Sequence, residues 1–228
     1  MQKAESWLKA TLDYSFNDRD LFAQALTHRS ANGQSNERLE FLGDAVLDLV
    51  VSEIVFRQQP HANEGDLSRL RAALVKDKSL AQLATELGIG EFLVLGSGEK
   101  KSGGHSRASI LADAVEALFG AVYLDAGFDA AYGVIEKAYG QRLHDLPDPS
   151  ELRDPKTRLQ EFLQARSMEL PVYELVQVSG RAHKQTFEVT CIIPKVASVT
   201  TGKGSSRRSA EQKSARFMLE VLDGDHND

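Results

Sequence analysis

The sequence predicts an all-α domain followed by a small α+β domain of order α-β-β-β-α. Three observations carry that expectation. Upstream of residue 150 apolar residues recur at spacings of three and four, as in Leu39, Leu42, Val46, Leu47 and Val50. Downstream the period shortens to the alternation of strands, in segments rich in Val, Ile and Phe. Between the two regimes lies Leu146-Pro147-Asp148-Pro149-Ser150. Closely spaced prolines cannot continue a helix, and each pushes the residue before it to extended geometry.

Taken in order, the helical pattern predicts helices at 3–12, 18–25, 37–58, 65–74, 77–87, 106–126 and 128–143. The ALTHRS block at 25–30 reads as helix-like, with His28 as a hydrogen-bonded structural residue. Residues 96–104, rich in Gly, Ser and Lys, are expected to be the most flexible part of this domain. The domain is expected to span 1–145, with a linker at 146–153 and a second domain at 154–224. In that second domain 156–167 reads as a helix, 173–179 and 186–193 as strands, 197–202 as a third strand, and 206–222 as a closing helix.

The chain has 228 residues, 42% of them hydrophobic and 26% charged, ordinary values for a globular protein that buries a core without staples. Its one cysteine, Cys191, excludes an internal disulfide framework and a thiolate metal cluster. No uncharged stretch approaches the roughly 18 apolar residues of a membrane span. The N-terminal MQKAESWLKATL mixes charges into its apolar residues and does not read as a signal peptide, so a cytoplasmic setting is expected. The formal net charge of −6, taken alone, argues against a polyanionic partner. The average hides an asymmetry. Residues 1–150 carry 15 basic and 22 acidic side chains, a balance of −7, whereas 154–222 carry 11 basic and 7 acidic, a balance of +4.

Two segments concentrate carboxylates. In Asn36-Glu37-Arg38-Leu39-Glu40-Phe41-Leu42-Gly43-Asp44-Ala45, Glu37, Glu40 and Asp44 fall within about 60° on a helix, and Asp48 extends the stripe. Like charges at this spacing repel, and a cation between them reverses the sign. Taken by itself, this segment reads more simply as a solvated acidic face. The second segment, 110–124, carries only Asp113 and Glu116 in an otherwise apolar helix, so these acids are expected to be buried. Buried carboxylates need a partner. Ion pairs with Arg38 or Arg71 would serve, and so would a divalent metal. An all-carboxylate site suits Mg²⁺ or Mn²⁺ better than Zn²⁺. The six histidines are scattered and offer no pair placed to activate a 2′-hydroxyl.

NERLEFLGDA at 36–45 resembles the signature decapeptide of the ribonuclease III endonucleases. ALTHRS at 25–30 and SILADAVEALFGAVYLDAG at 109–127 are similar to two further blocks of that family, in the same order. The resemblance implies an all-α endonuclease domain in which Glu40, Asp113 and Glu116 ligate metal. It implies that Asp44 and Glu116 are catalytic, with Asp44 beside the attacking water and the leaving group. Glu37 and Glu64 match accessory acids. The cofactor implied is Mg²⁺, with Mn²⁺ able to substitute. The activity implied is cleavage of double-stranded RNA to 5′-phosphate and 3′-hydroxyl ends with short 3′ overhangs, by a homodimer, on precursor ribosomal RNA and other structured transcripts. A protein that holds duplex RNA without cutting it is the alternative, as is an all-α metal enzyme acting on a small pyrophosphate.

The second domain resembles the double-stranded RNA-binding domain. The resemblance implies RNA contacts from Thr157, Gln160 and Glu161 on the first helix, Ala182 and His183 in the loop between the first two strands, and Arg207, Arg208 and Lys213 on the last helix. Such domains read A-form shape across two minor grooves and the intervening phosphates. A helix N-terminus carrying two arginines suits those phosphates. Glu211 stands where many such domains carry a further basic residue. Lys100 and Lys101 in 96–104 are open to two readings, an RNA contact or a mobile surface loop.

Overall fold

A computed structural model describes residues 1–182 and 184–224, with only the backbone of Asp223 and Gly224. The chain divides into two units, one ending at Pro149 and one beginning at Ser150.

The first unit is helical. Its elements are α1 (Gln2–Leu12), α2 (Arg19–Ala25), α3 (Glu37–Gln58), α4 (Glu64–Val75), α5 (Asp77–Leu87), α6 (Ser97–Lys101) and α7 (Ala108–Tyr139). Asp18 caps α2 by accepting from the backbone N–H groups of Asp20 and Leu21, and Asn63 caps α4 by accepting from Asp66. Gly127, at φ 82°, interrupts α7 between the two helices expected there.

Three expectations need correction. Residues 96–104 are not a loop: they hold α6 and lead into a 3₁₀ turn at Gly104–Ser106, pinned where Arg107 pairs with Glu99 at 2.7 Å. The helix expected at 128–143 ends at Tyr139 and continues as a 3₁₀ turn, Gly140–Leu143. His28 is not helical. Helix α2 ends at Ala25, Thr27 forms an isolated parallel bridge with Val94, and His28 Nδ1 lies 2.8 Å from Ser30 Oγ.

The core of this unit is the packing of α3 on α7. Buried Leu39, Val46, Leu47, Val50, Val51 and Ile54 of α3 share an interior with Ile110, Leu111, Val115, Leu118, Phe119 and Val122 of α7. Each large side chain withdrawn from water contributes about 1.5–3 kcal/mol. The two backbones touch at their crossing. A Cβ on Gly43 would lie 1.7 Å from the carbonyl oxygen of Glu116, and one on Gly120 would lie 2.2 Å from that of Leu39. Glycine costs helix stability of about 1 kcal/mol at such interior positions. What it gains here is an approach that no side chain permits.

The second unit is α8 (Pro155–Ala165), β1 (Val172–Ser179), β2 (Thr186–Ile192), β3 (Val199–Gly204) and α9 (Arg207–Gly224). Asp154 caps α8 by accepting from the Thr157 N–H, and Pro155 opens it. The strands form one antiparallel sheet of order β1-β2-β3. The third strand lies two residues later than expected. Register pairs Ile192 with Val199 and Phe187 with Gly204, so the turn after β2, with Lys195 at φ 69°, absorbs Ala197. Leu159 and Leu163 of α8 meet Cys191, Ile193, Ala215, Met218 and Leu222 in a buried core. Among the described residues no helix is long and apolar enough to cross a membrane.

Candidate active site

The Gly43–Gly120 contact decides which side chains meet. It brings the N-terminal half of α3 against the N-terminal half of α7, where Glu40, Asp113 and Glu116 converge. One carboxylate oxygen from each lies within 4.8 Å of the other two, and all three side chains are partly buried. Among the described residues none of the three has a Lys or Arg ion-pair partner. The expected alternative of buried pairs does not occur. Arg71 lies 4.0 Å from Asp48 and donates to Ser52 Oγ instead.

Such a cluster resists ionisation. Burial pushes the Glu116 carboxyl up to about 8, and the neighbouring charges of Asp44, Glu40, Asp113 and Asp77 push the same way. Burial, then Asp113 and Glu37, raises Glu40 above its ordinary value, against a lowering by Arg29. Asp113 is raised by burial and by Asp77, against His28 and Arg29. The residues fit a divalent cation. Three hard oxygen donors that repel one another and lack a paired cation are a donor set for a metal that prefers oxygen, and no His or Cys is among them.

A cleft of about 690 Å³ opens beside the cluster. Glu40 and Asp113 line it together with His28, Arg29 and Arg107. Glu37 lines it too, at the first residue of α3, where it takes Arg29 at 3.4 Å and accepts from Ser35 Oγ at 3.1 Å. Asp44 is exposed on the next turn of α3, outside the three-acid cluster but close enough to raise Glu116. Glu64 is not brought to the cluster. It opens α4, exposed, and accepts from Ser68 Oγ at 3.2 Å. Sequence reasoning passed over Asp77 and the two glycines. A glycine inside each acidic helical block was the available signal for the crossing, whereas Asp77 reaches the site only through the packing of α5 on α7.

The second unit gathers its own polar surface. Thr157, Gln160 and Arg208 line one hollow of about 630 Å³ at the N-terminal ends of α8 and α9. The Thr157 hydroxyl donates to Asp154 at 2.9 Å. Glu161 is engaged by Arg153. Arg207 and Lys156 both donate to Glu211. Lys213 is exposed on α9, and Ala182 is exposed in the β1–β2 loop. His183 lies outside the described residues.

Comparison with known proteins closes the assignment. A family described as Ribonuclease-III-like matches residues 18–143, and a Double-stranded RNA binding motif matches 155–222. The Ribonuclease 3 of Alkalilimnicola ehrlichii is 52% identical over 96% of this chain and 96% of its own length. That of Dechloromonas aromatica is 55% identical over 92% of this chain and 95% of its own. The crystal structure of the nuclease domain of ribonuclease III from Campylobacter jejuni is similar at 48% identity and a TM-score of 0.56, covering 60% of this chain and 96% of that one. A second structure of that nuclease domain, of the same identity and TM-score, is described by flexibility in a region involved in dimer formation, and the match covers 58% of this chain and 96% of that one. On the two domains, in this order and at this identity, the chain belongs to the ribonuclease III family of endoribonucleases.

Proposed function

We propose that the chain cleaves double-stranded RNA in a Mg²⁺-dependent reaction, leaving 5′-phosphate and 3′-hydroxyl ends with short 3′ overhangs. The observation that carries this reading is the convergence of Glu40, Asp113 and Glu116, with no Lys or Arg ion-pair partner among the described residues, beside an open cleft, in a chain with a double-stranded RNA-binding motif. Glu40, Asp113 and Glu116 would hold the metal, with Mn²⁺ able to replace it. When bound, Mg²⁺ supplies a lowered pKa for water, charge neutralisation at the phosphate and stabilisation of the departing oxygen. Asp44, exposed on the next turn of α3, would stand beside the attacking water and the leaving group. Glu37, which pairs with Arg29 and lines the cleft, would act as an accessory acid near the substrate. Glu64 keeps the role of an accessory acid toward a more distant part of the duplex. Thr157, Gln160, Glu161, Ala182, His183, Arg207, Arg208 and Lys213 form the RNA-reading surface, with the expected linker and boundaries retained at 146–153.

The working unit is a homodimer formed through the catalytic domain. Phe41 is 81% exposed, an expensive state for a phenylalanine. It stands beside an apolar hollow formed by Leu21, Leu39, Leu42 and Leu124. A second copy buries both. Precursor ribosomal RNA and other structured cytoplasmic transcripts are the substrates.

The test is incubation of the protein and of Glu116→Gln with long duplex RNA, with and without Mg²⁺, followed by analysis of the product ends. Cleavage by the native protein alone, with Mg²⁺ alone, is expected. Duplex binding without cleavage by either protein overturns the catalytic reading. For the RNA surface, the Arg207→Ala/Arg208→Ala double variant should bind more weakly and with a flatter salt dependence. Identical binding across a salt titration overturns that assignment.

A further inference from the structure

Glu211 sits among the cations of the second unit. Its Oε1 accepts from Arg207 Nε at 2.9 Å, and its Oε2 accepts from Lys156 Nζ at 2.7 Å. The Glu211 side chain is only 13% exposed, against 59% for Arg207. Lys156 is the second residue of α8 and also lies over the Tyr173 ring, 4.3 Å from its centroid. One carboxylate therefore bridges cations from the starts of two helices. Arg208 differs. Among the described residues it has no ion-pair partner, although it lines one hollow with Thr157, Gln160, Lys156 and Glu211 itself.

A backbone phosphate has the needs that Glu211 already meets. It is a monoanion with two free oxygens, and it is satisfied by bridging two cations. A phosphate approaching Arg207 must displace this carboxylate or sit close to it against like-charge repulsion.

We propose that Glu211 is an internal competitor for the RNA backbone: it occupies Arg207 and Lys156, lowers the affinity of this unit for duplex RNA, and leaves Arg208 as the leading phosphate contact. The proposal rests on the RNA-binding reading above. Its consequence is a shorter residence on RNA, since affinity differences among variants of one interface appear mostly in the off-rate. That suits an enzyme that must leave a cut duplex before the next turnover.

The experiment uses the full chain in chelator, so that no cleavage occurs, and a short perfect RNA duplex as the probe. Kd is measured over a salt titration for the native protein and for Glu211→Gln. The variant should bind about three- to tenfold tighter near 0.1 M salt. Its slope of log K against log salt should be steeper by about one. Equal or weaker binding by a variant with native circular dichroism and melting overturns the proposal. If Glu211→Gln does not fold, the single variants Arg207→Gln and Arg208→Gln decide. Arg208→Gln should cost about tenfold and Arg207→Gln less than about twofold. Equal losses, or a larger loss at Arg207, overturn the proposal while leaving the RNA surface intact. Failure of the RNA reading looks different: there the double variant and the native chain bind alike at every salt concentration.

Discussion

Replacing Glu116 with glutamine should remove cleavage and at the same time stabilise the metal-free protein at alkaline pH. The carboxyl stands at about 8 in the fold against an ordinary 4.5, chiefly through burial and then through Asp44, Glu40, Asp113 and Asp77. A raised carboxyl in the folded state means that the fold disfavours the charge. Below pH 4.5 Glu116 is protonated in both folded and unfolded chains, and nothing is lost. Between 4.5 and about 8 the unfolded chain ionises while the fold retains its proton, so stability falls as pH rises. Above about 8 the loss is complete. At about 1.4 kcal/mol per tenfold change in proton affinity, the ceiling is about 5 kcal/mol. The side chain is only partly buried, so water screens much of this, and about 2 kcal/mol is the expected share. Glutamine keeps the shape and removes the charge.

The assay is thermal unfolding of both proteins in chelator, at pH 5 and at pH 8.5. For a unit of this size about 2 kcal/mol corresponds to a rise in Tm of about 4–8 °C. The rise should be present at pH 8.5 and nearly absent at pH 5. Added Mg²⁺ should then stabilise the native protein at pH 8.5 more than the variant, because binding to the fold alone adds to its stability. A Tm difference independent of pH, or a variant less stable at pH 8.5, would refute the reasoning: Glu116 would then not be a charge the fold resists.

Three other outcomes follow from single contacts. Gly43→Ala puts a methyl 1.7 Å from the Glu116 carbonyl oxygen, so α3 and α7 must separate. Urea unfolding should show a loss of about 3 kcal/mol, and cleavage should fall although every acid remains. Phe41→Asp places a charge on the exposed ring position beside the apolar hollow. Sedimentation should show a monomer at concentrations where the native protein is dimeric, and an unchanged dimer counts against that face. Tyr14→Phe deletes the hydroxyl that donates to Asp125 at 2.5 Å, but Asn17 and Asp18 still donate to the same carboxylate. Chemical denaturation should therefore show a modest loss of about 1–2 kcal/mol, with cleavage retained.

The parts of this protein that were legible in its sequence are those set by local chemistry. Helix α3 reads correctly to its end residues because its apolar spacing is regular and nothing inside it breaks. The break at Gly127 shows for the same reason. Acids three and four residues apart on one helix share a face by geometry, so Glu40 with Asp44, and Asp113 with Glu116, could be paired in advance. What was not legible depends on distant partners. Residues 96–104 look flexible by composition, but Gly96 packs on the Ser30 carbonyl and Glu99 holds Arg107. The role of Asp77 depends on how α5 meets α7, which no spacing encodes. The β3 boundary was set by its pairing with β2 rather than by its own residues.

The same distinction explains how a chain of net charge −6 comes to act on a polyanion. Charge summed over the chain says little, because each unit arranges its charges against opposite demands. In the first unit Glu40, Asp113 and Glu116 converge at one crossing, where among the described residues no Lys or Arg pairs with them and where a metal could be held. Arg29 and Arg107 line the same cleft. In the second unit the fold does the reverse: it supplies a carboxylate, Glu211, to cations that an RNA backbone would otherwise take. The first arrangement leaves charge uncompensated beside an open cleft. The second compensates the charge of Arg207 and Lys156, which on the proposal above would otherwise be open to the duplex. Neutralising the wrong member of each set should therefore have opposite effects. Glu116→Gln should give a protein that is more stable at alkaline pH without metal and does not cut, and Glu211→Gln should give one that binds tighter and releases more slowly.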